Sequence, residues 1–145
     1  MKRRGHALIE LAVSAAVMVS CLAGTFQFGY TFYIYNQLVT AVGNGGRYAA
    51  MRTYRRDVEK SRTAIQNMVV YGNSRPENMT PVVPNLRPDQ VEVEWVKDKS
   101  GAPTAVRVAI RNYPVNAVFK TISLDGRPGV EFPYVGRYAP EEREP

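Results

Sequence analysis

The stretch KRRGHALIELAVSAAVMVSCLAGTFQFGYTFYIY, residues 2–35, decides what kind of protein this is. Residues 11–35 are 25 consecutive positions without a charged side chain. As a helix rising about 1.5 Å per residue, they exceed the roughly 30 Å hydrocarbon thickness of a bilayer. The pattern predicts a membrane-spanning helix. Its far end carries Phe26, Phe28, Tyr30, Phe32, Tyr33 and Tyr35, rings that settle at headgroup level, so the outer boundary is expected near Tyr30 to Asn36. Lys2, Arg3 and Arg4 precede the run, and Arg47, Arg52 and Arg55 follow it. A short tail with three cations is hard to translocate, which puts the amino terminus on the cytoplasmic side and the carboxy-terminal part outside.

Glu10 stands at the start of this run, where an ionised carboxylate at membrane depth costs about 2.5–3.5 kcal/mol. A snorkelling side chain near the cytoplasmic face is one alternative account of it. Two processing alternatives also exist: a secretory cleavage after CLA, before Gly24, and a lipoprotein signal MVSC ending at Cys21. Both are opposed by Glu10 inside the apolar centre and by the 12 further uncharged residues beyond Ala23. Along the same helix Ala12, Ala16, Ser20 and Gly24 recur every four residues. This small-xxx-small spacing lets membrane helices approach closely, and it suits a stem packed with its own kind.

Composition narrows the function class. The 145 residues carry 19 Lys plus Arg against 13 Asp plus Glu, one cysteine and one histidine. Cys21 cannot form an internal disulfide, and His6 alone is no ligand set for zinc or a transition metal. There is no Gly-rich phosphate loop, nucleophile elbow or Cys/His pair suited to catalysis. No enzyme activity, cofactor, metal or small-molecule substrate is expected. The basic residues Arg47, Arg52, Arg55 and Arg56, interleaved with Tyr48 and Tyr54, lie just past the membrane run. That position suits lipid headgroups or acidic partners better than nucleic acid.

The elements Arg4, Gly5 and Glu10, the last being the fifth residue after Gly5, resemble the cleavage motif of type IV prepilins. Phe28, Gly29, Tyr33, Asn36, Gly45, Gly46, Arg47, Tyr48 and Ala49 extend the resemblance to the TadE-like pseudopilins of the Tad (Flp, tight-adherence) pilus system. Gly46 stands where that family more often has Ala, and Leu11 where Phe or Tyr often follows the Glu. The resemblance implies a structural minor pilin or pseudopilin, acting in a pilus for adhesion or secretion. It implies an inner-membrane anchor, cleavage after Gly5 by a prepilin peptidase, and Glu10 paired with the amino group of a neighbouring subunit's His6. Its implied partners are pilus subunits, the inner-membrane assembly platform and the bilayer. The alternative from another class is a membrane-tethered lipoprotein or secreted basic-aromatic binding module.

Beyond the span the sequence predicts an α+β head, giving a division into leader 1–5, stem 6–52 and head 53–145. Leu38, Val42, Gly45 and Ala49 continue one helical face. Gly43, Gly45 and Gly46 each cost a helix about 1 kcal/mol relative to Ala and predict a bend on which the head pivots. Residues 53–73 read as an amphipathic helix with Tyr54, Val58, Ile65, Met68 and Val69 on one side, stopped by Gly72 and Asn73. Residues 73–88 hold four prolines and read as a wrapped loop. Val91, Val93 and Trp95, then Val106, Val108 and Ile110, alternate with polar positions and predict a hairpin closed by KDKSGAP. Its pairing puts Glu92 and Glu94 beside arginines rather than in catalysis. VNAVFKTISL is open between strand and short helix, and VEFPYVGRY is a last strand at an edge because of Pro133.

Overall fold

The computed structural model describes residues 2–54, 58–116 and 119–137, with side chains from residue 5 onward. The side chains of Lys2, Arg3 and Arg4, the positions Arg55 and Arg56, and the charged tail 139–145 lie outside the described residues. The fold is α+β: a long apolar amino-terminal helix, a second helix and small antiparallel sheets.

Helix α1, Lys2–Met51, is continuous over 50 residues, about 75 Å at 1.5 Å per residue. The expected bend at the glycines is therefore absent, and the reason is packing. A Cβ on Gly45 would collide with Val69 Cγ2, and one on Gly46 would meet Phe132 and Val130 at 2.8–2.9 Å. These two glycines let the rest of the head close onto the helix. Ile34, Leu38, Val42 and Ala49, on the same face, are buried to 2% exposure or less. That burial offsets the weak helix preference of glycine, since each fully buried aliphatic side chain contributes about 1.5–3 kcal/mol.

Helix α2, Val58–Tyr71, packs across α1 through Ser61, Ile65, Val69 and Val70. It ends as the sequence predicts. Gly72 adopts φ +68°, and its N–H returns to Met68 O at 3.0 Å, a left-handed C-terminal cap. Tyr54, expected on this helix, lies before it. Its N–H donates to Tyr134 Oη at 2.7 Å and to Arg137 O at 3.0 Å, and its ring meets Trp95 edge-on with centroids 5.2 Å apart.

The Pro-rich loop wraps the head. It buries Val83 and Leu86 and is fixed to α2 by Val82 N–H donating to Val70 O at 2.8 Å. A single 3-10 turn, Pro88–Gln90, leads into the sheet. Strands β1 (Val91–Lys97), β2 (Pro103–Ile110) and β5 (Gly129–Pro133) form an antiparallel sheet in the order β1-β2-β5. Val93 sits opposite Val108 and Trp95 opposite Val106, facing the core, while Glu94 sits opposite Arg107 on the other face. Arg107 Nη2 meets Glu131 at 2.7 Å and Arg111 Nε meets Glu92 at 2.7 Å, so the acidic and basic outer positions pair across strands. All four side chains are well exposed, and such pairs contribute at most about 1 kcal/mol each. β5 is an edge strand, as Pro133 requires.

The ambiguous segment resolves into a second hairpin. β3 (Tyr113–Asn116) pairs antiparallel with β4 (Thr121–Leu124). Tyr113 and Val115 point into the core, and the Tyr113 hydroxyl donates to Pro84 O at 2.6 Å. The main sheet packs on α1 through β2 and β5, so the distal half of α1 is the central element of the head.

Candidate functional site

Among the described residues, the amino-terminal half of α1 is exposed from Gly5 to Leu22. Leu8, Leu11, Met18 and Leu22 are each 66–67% exposed, and the most apolar stretch, with mean hydropathy 2.0, is entirely uncovered. This is a helix long and apolar enough to cross a membrane. Its hydroxyls turn back into the helix: Ser20 Oγ donates to Ala16 O at 2.8 Å and Thr25 Oγ1 to Cys21 O at 3.0 Å. In hydrocarbon this leaves neither donor without a partner, which is the condition for polar groups at that depth.

Glu10, the acidic residue of that stretch, is exposed, and no described cation lies within ion-pairing distance of it. Gly5 has nothing within 4 Å of where a Cβ would stand, and His6 is exposed. Ala12, Ala16 and Ser20 are exposed and Gly24 is half-buried, with open space at its missing side chain. No described residue fills the open space at Gly24.

The signature residues divide. Phe28 and Gly29 face outward, Phe28 at 78% exposure. Asn36 and Tyr33 line a groove of about 440 Å³ between α1 and α2, together with Gln37, Thr40, Asn44 and Met68. Within it Gln37 Nε2 donates to the Tyr33 hydroxyl at 2.6 Å, while Gln37 Oε1 has no partner among the described residues. Gly45, Gly46 and Ala49 serve the core, Arg47 is exposed, and the Tyr48 hydroxyl accepts from Arg52 Nη1 at 2.7 Å. No three His, Cys, Asp or Glu side chains group as metal ligands among the described residues.

Gln27 escaped the sequence reading. It is 8% exposed, its Oε1 accepts from Phe119 N–H at 2.9 Å and its Nε2 donates to Lys120 O at 3.1 Å. A lone amide in an apolar run was the available signal, but its partners stand 92 and 93 positions later. Tyr30 and Ile34 already pack on the head core, so the uncovered stem is residues 5–26. That is 22 residues, about 33 Å of helix and close to one hydrocarbon thickness. Packing of the head on α1 begins at Gln27.

No curated protein and no solved structure gives a significant match to the chain. Residues 5–47 match the family model described as TadE-like protein. This span runs from the exposed Gly5 through Glu10 and the small-residue stripe to the glycines beneath the head, and over it the chain is similar to TadE-like proteins.

Proposed function

We propose that this protein is a structural minor pilin or pseudopilin of a Tad/Flp-type pilus, anchored by α1 in the inner membrane with the head on the extracytoplasmic side. A prepilin peptidase removes residues 1–5, leaving His6 as the new amino terminus. Glu10 of one subunit then meets the liberated ammonium of its neighbour. The observation that carries this reading is Glu10 itself: a carboxylate on an uncovered apolar helix, five residues past Gly5, without a described cation in its own chain. A buried charge is tolerated when another charge meets it, and the described residues of the chain offer Glu10 none, which supports a partner from a second molecule.

The stripe Ala12, Ala16, Ser20 and Gly24 supports the same reading, because it leaves room for a second helix at close approach. Other pilus subunits and the inner-membrane assembly platform are the partners this assigns. Amino-terminal sequencing and intact mass of the protein from its host test the processing step. Retention of residues 1–5, in cells that cut another prepilin, refutes it. Glu10→Ala is expected to insert into the membrane normally and to fail in incorporation. Unchanged incorporation refutes the charge-pairing role.

A further inference from the structure

We infer that Phe119 and Lys120, just before β4, form a second membrane contact, a foot that rests on the headgroup layer of the bilayer the stem crosses. The inference rests on the membrane reading of α1 and adds a contact that the stem alone does not provide.

The geometry starts at Gln27. Its two hydrogen bonds fix the backbone of Phe119 and Lys120 against the helix at the level where the uncovered stem ends. Residues 5–26 span about 33 Å, so a stem seated with its apolar stretch in the hydrocarbon puts Gln27 at the outer interface. Phe119 and Lys120 are carried to the same depth. Phe119 is 65% exposed, Ile122 is 38% exposed and Lys120 is exposed. On the helix beside them Phe26 and Phe28 are 61% and 78% exposed.

An exposed phenylalanine and a lysine just before β4 are a poor match for bulk water and a good one for the interface. Aromatic rings settle among headgroups, and a lysine can keep its ammonium at the phosphates while its stem lies along apolar surface. The alternative occupant is a protein neighbour, but Gln27 ties Phe119 and Lys120 to the helix read as crossing the bilayer. The opposite end of the head differs in chemistry: the β1–β2 loop holds Asp98, Lys99 and Ser100 around an exposed turn.

Nitroxide labels on the full-length protein in phospholipid nanodiscs test the foot. The native Cys21 reports the stem. In a Cys21→Ser background, Phe119→Cys reports the hairpin and Ser100→Cys the distal loop, with Lys120→Cys as a second reporter should labelling at 119 disturb the fold. Collision with oxygen, which concentrates in lipid, is compared with collision with a water-soluble nickel chelate. The expected oxygen-to-nickel ratio is highest at 21, intermediate at 119 and 120, and lowest at 100. A ratio at both 119 and 120 equal to that at 100, with 21 still in lipid, overturns the foot and leaves the stem reading intact. A water-like ratio at 21 overturns both.

Discussion

Replacing Gly45 by alanine separates two accounts of the glycine-rich segment at the end of α1. If glycine is there to bend the helix, alanine adds about 1 kcal/mol of helix preference and stabilises the protein. The packing account predicts otherwise. A Cβ at 45 collides with Val69 Cγ2, with Val69 Cβ at 3.5 Å and Cα at 3.7 Å close behind. Val69 is fully buried and β-branched within α2, where one χ1 rotamer is strongly preferred, so the methyl cannot swing aside cheaply. Relief requires α2 to move off α1, and overpacking of this kind costs about 1–3 kcal/mol.

Gly43 supplies the control, since nothing lies within 4 Å of its missing Cβ. Gly43→Ala should gain the helix term alone, about 1 kcal/mol. Gly45→Ala should fall about 1–3 kcal/mol below it. For a head of this size each 1 kcal/mol moves Tm by about 4–8 °C. Thermal unfolding of the full-length protein in detergent, followed by near-ultraviolet circular dichroism, reads the difference. Adding Val69→Ala to Gly45→Ala should recover part of the loss non-additively, because the two sites share one contact. Equal Tm values for Gly43→Ala and Gly45→Ala would refute the reasoning.

Gln27→Leu removes both bonds to the hairpin and should cost about 1–3 kcal/mol locally; faster hydrogen exchange at the Phe119 amide checks this, and unchanged protection counts against the anchoring role. Tyr134→Phe takes away a hydroxyl that accepts from Tyr54 N–H at 2.7 Å and lies 2.8 Å from Arg52 O. It should destabilise by about 1–3 kcal/mol, against at most about 1 kcal/mol for Arg107→Ala at its exposed ion pairs, as denaturant titration of the two variants would show. Burial, joined by the neighbouring Tyr30 phenol, raises the pKa of Tyr113, and burial likewise raises that of Tyr134. Folding therefore favours their neutral forms; this stability is complete below the ordinary phenol value of about 10 and is lost as pH rises through the higher folded values. Ultraviolet titration should find these phenols ionising after the exposed ones, and Tyr113→Phe should soften the alkaline loss.

The main sheet was readable because strand alternation maps one residue to one face. Val91, Val93 and Trp95 could hardly be paired with Val106, Val108 and Ile110 without also bringing Glu94 beside Arg107. The hairpin β3–β4 was harder. Pro114 reads as a strand breaker, yet it sits opposite Ser123 in a two-stranded ribbon, where a missing N–H is tolerated. Tyr54 has helical spacing to Val58, but Trp95 and Tyr134 claim it from distant parts of the chain. The glycines misled for a related reason: propensity is local and small, whereas the Val69, Val130 and Phe132 contacts that decide the outcome are tertiary. For Glu10 and the small-residue stripe, sequence and structure carry the same information, because no described residue partners Glu10 or fills the space at Gly24.

An unbroken α1 has a consequence for assembly that a pivoting head would not. At 3.6 residues per turn, Gln27 and Gly45 both lie about 60° around the helix from Ala12. That is also the mean direction of Ala12, Ala16, Ser20 and Gly24 at about 100° per residue. The small-residue stripe therefore runs on the side of the helix that carries the head, directly below the hairpin held by Gln27. A second stem packed on the stripe as proposed would lie beneath the head and replace the lipid under Phe119. With no bend to absorb the difference, the proposed choice of stem neighbour and the proposed setting of the foot would be one mechanical decision, transmitted through a single rod.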